Sequence, residues 1–159
     1  DEMWVLSGND KNIYQYSLSA VFPDDGSGLK ATKEISLDTT NNKGAAGLAI
    51  DDNNYLYVLD EKDHQFYRYP HPEGTHVGEP VIASKVLKDA NGGDIGGPPG
   101  GLAGAMFDGV DGTFLWVVDS GTNKMYEYDI TSLFPDDGNP VNAIDEFPLH
   151  INNTDASGV

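Results

Sequence analysis

Carboxylates dominate what this sequence could do chemically. Twenty-six aspartates and glutamates face nine lysines and arginines, a formal net charge of −17 over 159 residues. Carboxylate oxygens suit Ca²⁺ best among the common divalent cations. Two runs concentrate them, Asp51-Asp52-Asn53 and the stretch from Asp108 through Asp111. If the strand ends that carry these runs converge, Asp51, Asp52, Asp108 and Asp111 are the candidate metal ligands and Ca²⁺ the candidate ion. Neither run matches the Asp-x-Asp-x-Asp-Gly calcium loop. The imidazoles are His64, His71, His76 and His150. The loop His71-Pro72-Glu73-Gly74-Thr75-His76 joins two of them to a carboxylate, a set able to bind metal or pass protons. It lacks the HExxH spacing, and its Pro and Gly fix no helical face, so exposed loop histidines are the plainer expectation. Asp94 lies in the Gly- and Pro-rich stretch 91–101. A phosphate-cradling loop would need a helix after it, whereas a strand pattern follows here. That stretch reads as a flexible connection or as a lip touching a ligand. His71, His76 and Asp94 are the candidate ligand-binding residues. No nucleophile elbow and no cysteine is present, so no catalytic residue is assigned.

The elements that would hold these groups repeat. Met3-Trp4-Val5-Leu6-Ser7, Leu56-Tyr57-Val58-Leu59-Asp60 and Leu115-Trp116-Val117-Val118-Asp119 are copies of one run, spaced by 53 and then 59 positions. Each is followed by a polar turn and a tyrosine pair: Tyr14 and Tyr16, Tyr67 and Tyr69, Tyr126 and Tyr128. Such periods mark supersecondary units that bury their faces against one another. Each unit divides into four short strands: a Gly-led run (Gly47–Asp51, Gly101–Asp108), the aromatic run, the tyrosine strand, and an outer strand. Thr32–Leu37, Ser84–Leu87 and Glu146–Leu149 are the expected outer strands. Gly, Asn and Asp are expected to supply the left-handed positions in the turns. Phe22-Pro23-Asp24-Asp25-Gly26 and Phe134-Pro135-Asp136-Asp137-Gly138 read as turns rather than cation sites. Trp4, Tyr57 and Trp116 are expected to pack between units rather than to stack on a sugar. No helix of useful length is expected.

These features predict an all-β fold, a β-propeller of three four-stranded blades with units at 1–46, 47–100 and 101–155. Residues 156–159 read as the start of a further strand. Three blades do not close a ring, so either a homodimer of six blades or the remainder of a longer chain is expected. The acidic balance excludes nucleic acid as a partner. No apolar run reaches the ~20 residues of a membrane-spanning helix, so no membrane insertion is expected. High acidity suits a salty medium, and an extracellular or cell-surface bacterial protein is the expected setting.

The run Gly47-Leu48-Ala49-Ile50-Asp51, then Tyr55-Leu56-Tyr57-Val58-Leu59-Asp60, then Phe66-Tyr67-Arg68-Tyr69 resembles an NHL repeat. Asp119-Ser120-Gly121-Thr122-Asn123-Lys124 resembles that family's turn, while Ser7 departs from it where Asp is usual. The resemblance implies a propeller that hosts protein- or RNA-binding modules, lyases or calcium-dependent lactonases. The leading expectation is a non-catalytic extracellular module binding protein or glycan through loops on one face. A calcium-dependent lactonase or lyase, and a structural spacer, are the alternatives.

Overall fold

The computed structural model describes residues 2–21, 28–73, 75–97, 101–108 and 112–150. Asp111, the Phe22–Gly26 turn and residues 156–159 lie outside them. The first sheet orders β1 (Glu2–Ser7), β2 (Asn12–Ser17) and β3 (Lys33–Ser36) side by side. The second holds β4 (Ala45–Ile50), β5 (Tyr55–Asp60), β6 (Gln65–Pro70) and β7 (Ile82–Ala83) in chain order. After it, β8 (Leu87–Lys88) pairs in parallel with β12 (Val141–Asn142). The third sheet contains β9 (Leu102–Phe107), β10 (Phe114–Asp119), β11 (Lys124–Asp129) and, at its edge, β13 (Asp145–Pro148). Within the three sheets every pairing is antiparallel, as short strands joined by tight turns require. The two described helices, α1 (Leu18–Val21) and α2 (Ile130–Leu133), are single turns of 4 residues that follow the tyrosine strands of the first and third blades.

Strand alternation decides which face meets which neighbour. In the second blade Leu56 pairs with Tyr69 and Val58 with Tyr67, and these four pack with Trp4, Leu6, Ile13 and Ile35 of the first blade. The opposite face carries Tyr57, Leu59 and Phe66, which pack with Leu115, Val117, Tyr126 and Tyr128 of the third. Trp4 and Tyr57 are therefore packing residues between blades, as their repetition suggests. Each buried ring contributes roughly 1.5–3 kcal/mol, so the two interfaces supply most of the apolar stabilisation. The inner strands come closest of all. A Cβ on Gly47 would stand 3.0 Å from the Ala105 amide nitrogen and 3.1 Å from the Gly104 carbonyl carbon, so β4 meets β9 backbone to backbone.

The outward faces of the first and third blades present the same residue types uncovered. Val5 is 39% exposed and Phe147, against which Trp116 packs, is 40% exposed.

Three expectations change. The outer strand of the second blade is Ile82–Ala83 rather than Ser84–Leu87. Of those later residues Ser84 and Leu87 still bond the second blade, at Phe66 and His64, while the Lys85 amide donates to the Leu133 carbonyl and Leu87 joins β12. Gly and Asn do supply left-handed positions elsewhere, as at Asn54 and Gly138, but in the turn between the aromatic run and the tyrosine strand that position is Lys11, His64 and Asn123 in the three copies, so two of these are neither Gly, Asn nor Asp. In the second and third blades the strand-end aspartates explain this tolerance. Asp60 accepts from the amides of Gly44, Lys62 and Asp63, and Asp119 from those of Gly96, Gly121 and Thr122. A turn held by several such bonds can carry the roughly 1–2 kcal/mol cost of a left-handed residue with a Cβ. Residues 91–97 do not form a loose excursion. Asp89 accepts from the amides of Asn91 and Gly93, Ile95 is buried in the core, and the Gly96 amide is fixed by Asp119. Gly138, at φ 81°, closes the second Pro-Asp-Asp-Gly copy as a turn, where its amide donates to Asp136.

Candidate functional site

The turn after β4 and the loop after β6 leave the second blade on the same side, where α2 of the third blade meets them. A cleft of about 300 Å³ opens there, lined by Asp51, Tyr55, Tyr57, Arg68, Thr131 and Phe134 among others. Alternation places Tyr55 and Tyr57 on one face of β5, with Arg68 directly opposite Tyr57 on β6. Asp51 ends β4 and turns back on β5. Its carboxylate accepts from the Tyr55 amide at 2.8 Å and from the Tyr57 hydroxyl at 2.9 Å.

Tyr55 reaches away from Asp51 to a second carboxylate. Its hydroxyl donates to Glu79 Oε2 at 2.7 Å and lies 2.7 Å from His76 Nδ1, which is 2.9 Å from Glu79 Oε1. An ionised carboxylate can only accept, so both Tyr55 and His76 present hydrogens to Glu79. The Tyr55 and His76 rings stack at 4.1 Å. Arg68 lies over the other ring surfaces of the cleft, 4.5 Å from the Tyr55 centroid and 5.5 Å from that of Phe134.

The electrostatics follow from these partners. Hydrogen bonds from His76 and then Tyr55 hold Glu79 below the usual carboxylate range. Burial, then the Asp51 charge and hydrogen bond, pushes the Tyr57 phenol well above its ordinary value. Tyr55 is raised too, first by burial and then by Glu79. Both phenols stay protonated through the physiological range and act as donors. A general base works best with a pKa near the operating pH, and these tyrosines are shifted away from it.

The expected ligand-binding residues are separated. His76 does not line the cleft itself but bonds and stacks on Tyr55, which does. His71 is buried in the interface between the first two blades, where its ring meets Trp4 edge-on at 5.0 Å and its Nδ1 engages the Glu73 backbone. Asp94 is exposed and ion-paired with Lys88, beyond the far ends of β5 and β6 beside the turn that carries His64. Of the expected metal ligands, Asp51, Asp52 and Asp108 line one neighbouring cleft between β4 and β9. Asp108 Oδ1 is buried there without a hydrogen-bond partner, while the Asp51 oxygens are committed to Tyr55 and Tyr57. Among the described residues no group of three or more carboxylates or imidazoles that could hold an ion is gathered, and Asp111 lies outside those residues.

Sequence reasoning passed over Tyr55, Tyr57, Arg68 and Glu79 as site residues. Two signals were available. Arg68 is the sole arginine of the chain. Tyr55 adds an aromatic ahead of the repeated run, where the first copy has Glu2.

No family model and no curated protein matches the chain. Solved structures do. A catalytically inactive virginiamycin B lyase from Staphylococcus aureus with quinupristin superposes with a TM-score of 0.53 at 16% identity, over 99% of this chain and 41% of that one. A selenomethionine-substituted form of the S. aureus enzyme gives 0.53 and 14%, over 99% and 41%. A streptogramin B lyase gives 0.52 and 13%, over 99% and 40%. The chain thus spans about two fifths of the length of these β-propeller lyases. At such identities the likeness establishes propeller-type blades and nothing of the chemistry.

Proposed function

We propose that this chain is the ligand-recognising part of a β-propeller protein and that the ligand sits in the cleft between the second and third blades. One observation carries this reading: Tyr57, Arg68, Tyr55 and Asp51 bring hydrogen-bonding groups of both kinds to one cleft walled by Tyr55, Ile130 and Phe134. Small-molecule sites have this composition, with apolar walls and a few placed polar groups. The protonated tyrosines favour recognition over proton abstraction. The acidic surface supports an extracellular or cell-surface setting, and the uncovered blade faces support further blades from a second copy or from the rest of a longer chain.

A lyase-type enzyme is the second reading. It is favoured by the Tyr55–His76–Glu79 chain, which has the partners of a proton relay, and by the solved lyases that share the fold. Array and fragment screening against the wild-type chain and Tyr55→Ala tests the first reading. Hits lost in the variant while folding is retained support it, and hits indifferent to Tyr55 contradict it. Chromatographic turnover of quinupristin that is lost in His76→Phe would instead establish the second.

A further inference from the structure

Within a chain of 26 acidic residues, Arg68 has no carboxylate within 4.0 Å among the described residues. The ion pairs of the described residues are made by Lys33, Lys85, Lys88 and Lys124, and by His76. An arginine with so many acids available is left unpaired by position, not by scarcity. Its guanidinium carbon lies 4.5 Å from the Tyr55 ring centroid and 5.5 Å from that of Phe134, and it donates a hydrogen bond to the Tyr57 hydroxyl, which leaves the rest of its N–H fork without a carboxylate partner. That fork matches a carboxylate through two parallel hydrogen bonds.

The chain contains its own control. The cleft between the first and second blades occupies the equivalent place and is lined by Glu2, Gln15, Thr32, Lys33 and Glu73 among others. By the repeat, Gln15 stands where Arg68 does and Glu2 where Tyr55 does. Gln15 is only 3% exposed, its Oε1 accepts from Thr32, and the cleft's cation, Lys33, is neutralised by Glu73. A position filled by a neutral, buried amide in one copy holds an unpaired, half-buried guanidinium in the other.

We infer that Arg68 is the anchor for a carboxylate borne on an apolar body, the carboxylate meeting the guanidinium fork and the body lying along Ile130 and Phe134. This rests on the reading of the cleft as a ligand site and names the class of ligand. Asp51 lines the cleft and Glu79 lies behind Tyr55, bonded to its hydroxyl, and both oppose an anion. Their charge is partly offset by bonds from Tyr57, Tyr55 and His76, so binding is weak and salt-sensitive.

Because Arg68 is the sole arginine, its Nε–H gives a single assignable arginine side-chain signal in a ¹⁵N spectrum. The probes are 3-phenylpropanoate and its neutral amide at matched ionic strength, with chloride as the reference anion. Expected is a saturable shift of that signal with the carboxylate, about tenfold weaker with the amide, as for a charge-assisted pair. In Arg68→Gln, which installs the residue the first cleft tolerates, acid and amide should bind alike. If the backbone signals of Tyr55 and Thr131 respond equally to both probes while Nε stays still, the cleft binds ligand and the anchor is wrong. If no cleft signal moves with either probe, both the anchor and the ligand site are overturned.

Discussion

The two inter-blade clefts begin from the same scaffold and end as different surfaces. Between the first and second blades, Trp4 packs edge-on against His71, Gln15 is buried, and Lys33 closes on Glu73 across the gap. Between the second and third, Tyr57 replaces tryptophan and turns its hydroxyl to Asp51, Arg68 replaces glutamine, and Phe134 and Phe107 pack edge-on to Tyr57. The first cleft neutralises its one cation internally. The second leaves a cation and two aromatic walls facing solvent. A repeat protein can thus keep one interface for cohesion and give another to recognition by changing a few side chains on identical strands.

The largest effect should come from the groups that make the scaffold common to both clefts. Asp60→Ala and Asp119→Ala each leave three backbone amides without their acceptor, at sites that are wholly buried. Each should cost about 3 kcal/mol or more in urea unfolding, whereas Ser7→Ala in the first blade should cost under about 1 kcal/mol. Equal costs at all three positions would remove the distinction between the pinned turns and the first one.

A smaller loss tests the second cleft itself. Tyr57→Phe removes the hydrogen bond to Asp51 and should cost about 1–2 kcal/mol, with weaker binding of any cleft ligand. Arg68→Gln should cost about 1 kcal/mol, the worth of its contacts with Tyr55 and Phe134. A loss well beyond that would make Arg68 a structural strut, like its counterpart in the first cleft.

Acid should unsettle the first cleft before the second. Burial, the largest cause, lowers the His71 pKa from its ordinary value of 6.5. Below pH 6.5 the unfolded chain therefore binds the proton more readily than the folded one, and stability falls as pH drops from 6.5 through the folded value. His71→Phe should flatten the melting-temperature slope in that window. The depressed carboxylate Glu79 contributes only at lower pH, once carboxylates begin to protonate. The smallest expected effect is that of EGTA: with no group of three ligands gathered among the described residues, the melting temperature should move by less than about 1 °C, and a larger fall would return Ca²⁺ to the carboxylates around Asp51 and Asp108.

Much of the scaffold was legible because it obeys period. The copies around Trp4, Tyr57 and Trp116 gave the blades, and the tyrosine strands beside them gave the interfaces. The outer strand of the second blade was misplaced because Ser84–Leu87 looks like a strand locally but divides its bonds, Ser84 and Leu87 to the second blade and Lys85 and Val86 to the third, a division no local pattern encodes. The site was less legible for the same reason. His71 and His76 are five positions apart in one loop, yet one is buried against Trp4 and the other joins Tyr55. Asp94 was conspicuous among glycines, but it pairs with Lys88 near the opposite end of the blade. Arg68 was hidden inside the repeat, where a scan for motifs sees only a polar position between two tyrosines.

The most direct test is to map amide shifts across the chain while titrating a fragment mixture that contains both acids and neutral amides. Changes should concentrate at Tyr55, Arg68, Ile130 and Thr131 and leave Gln15, Thr32 and Lys33 unmoved. Equal changes at both sets, or changes confined to the first, would show that the two clefts have not diverged in purpose.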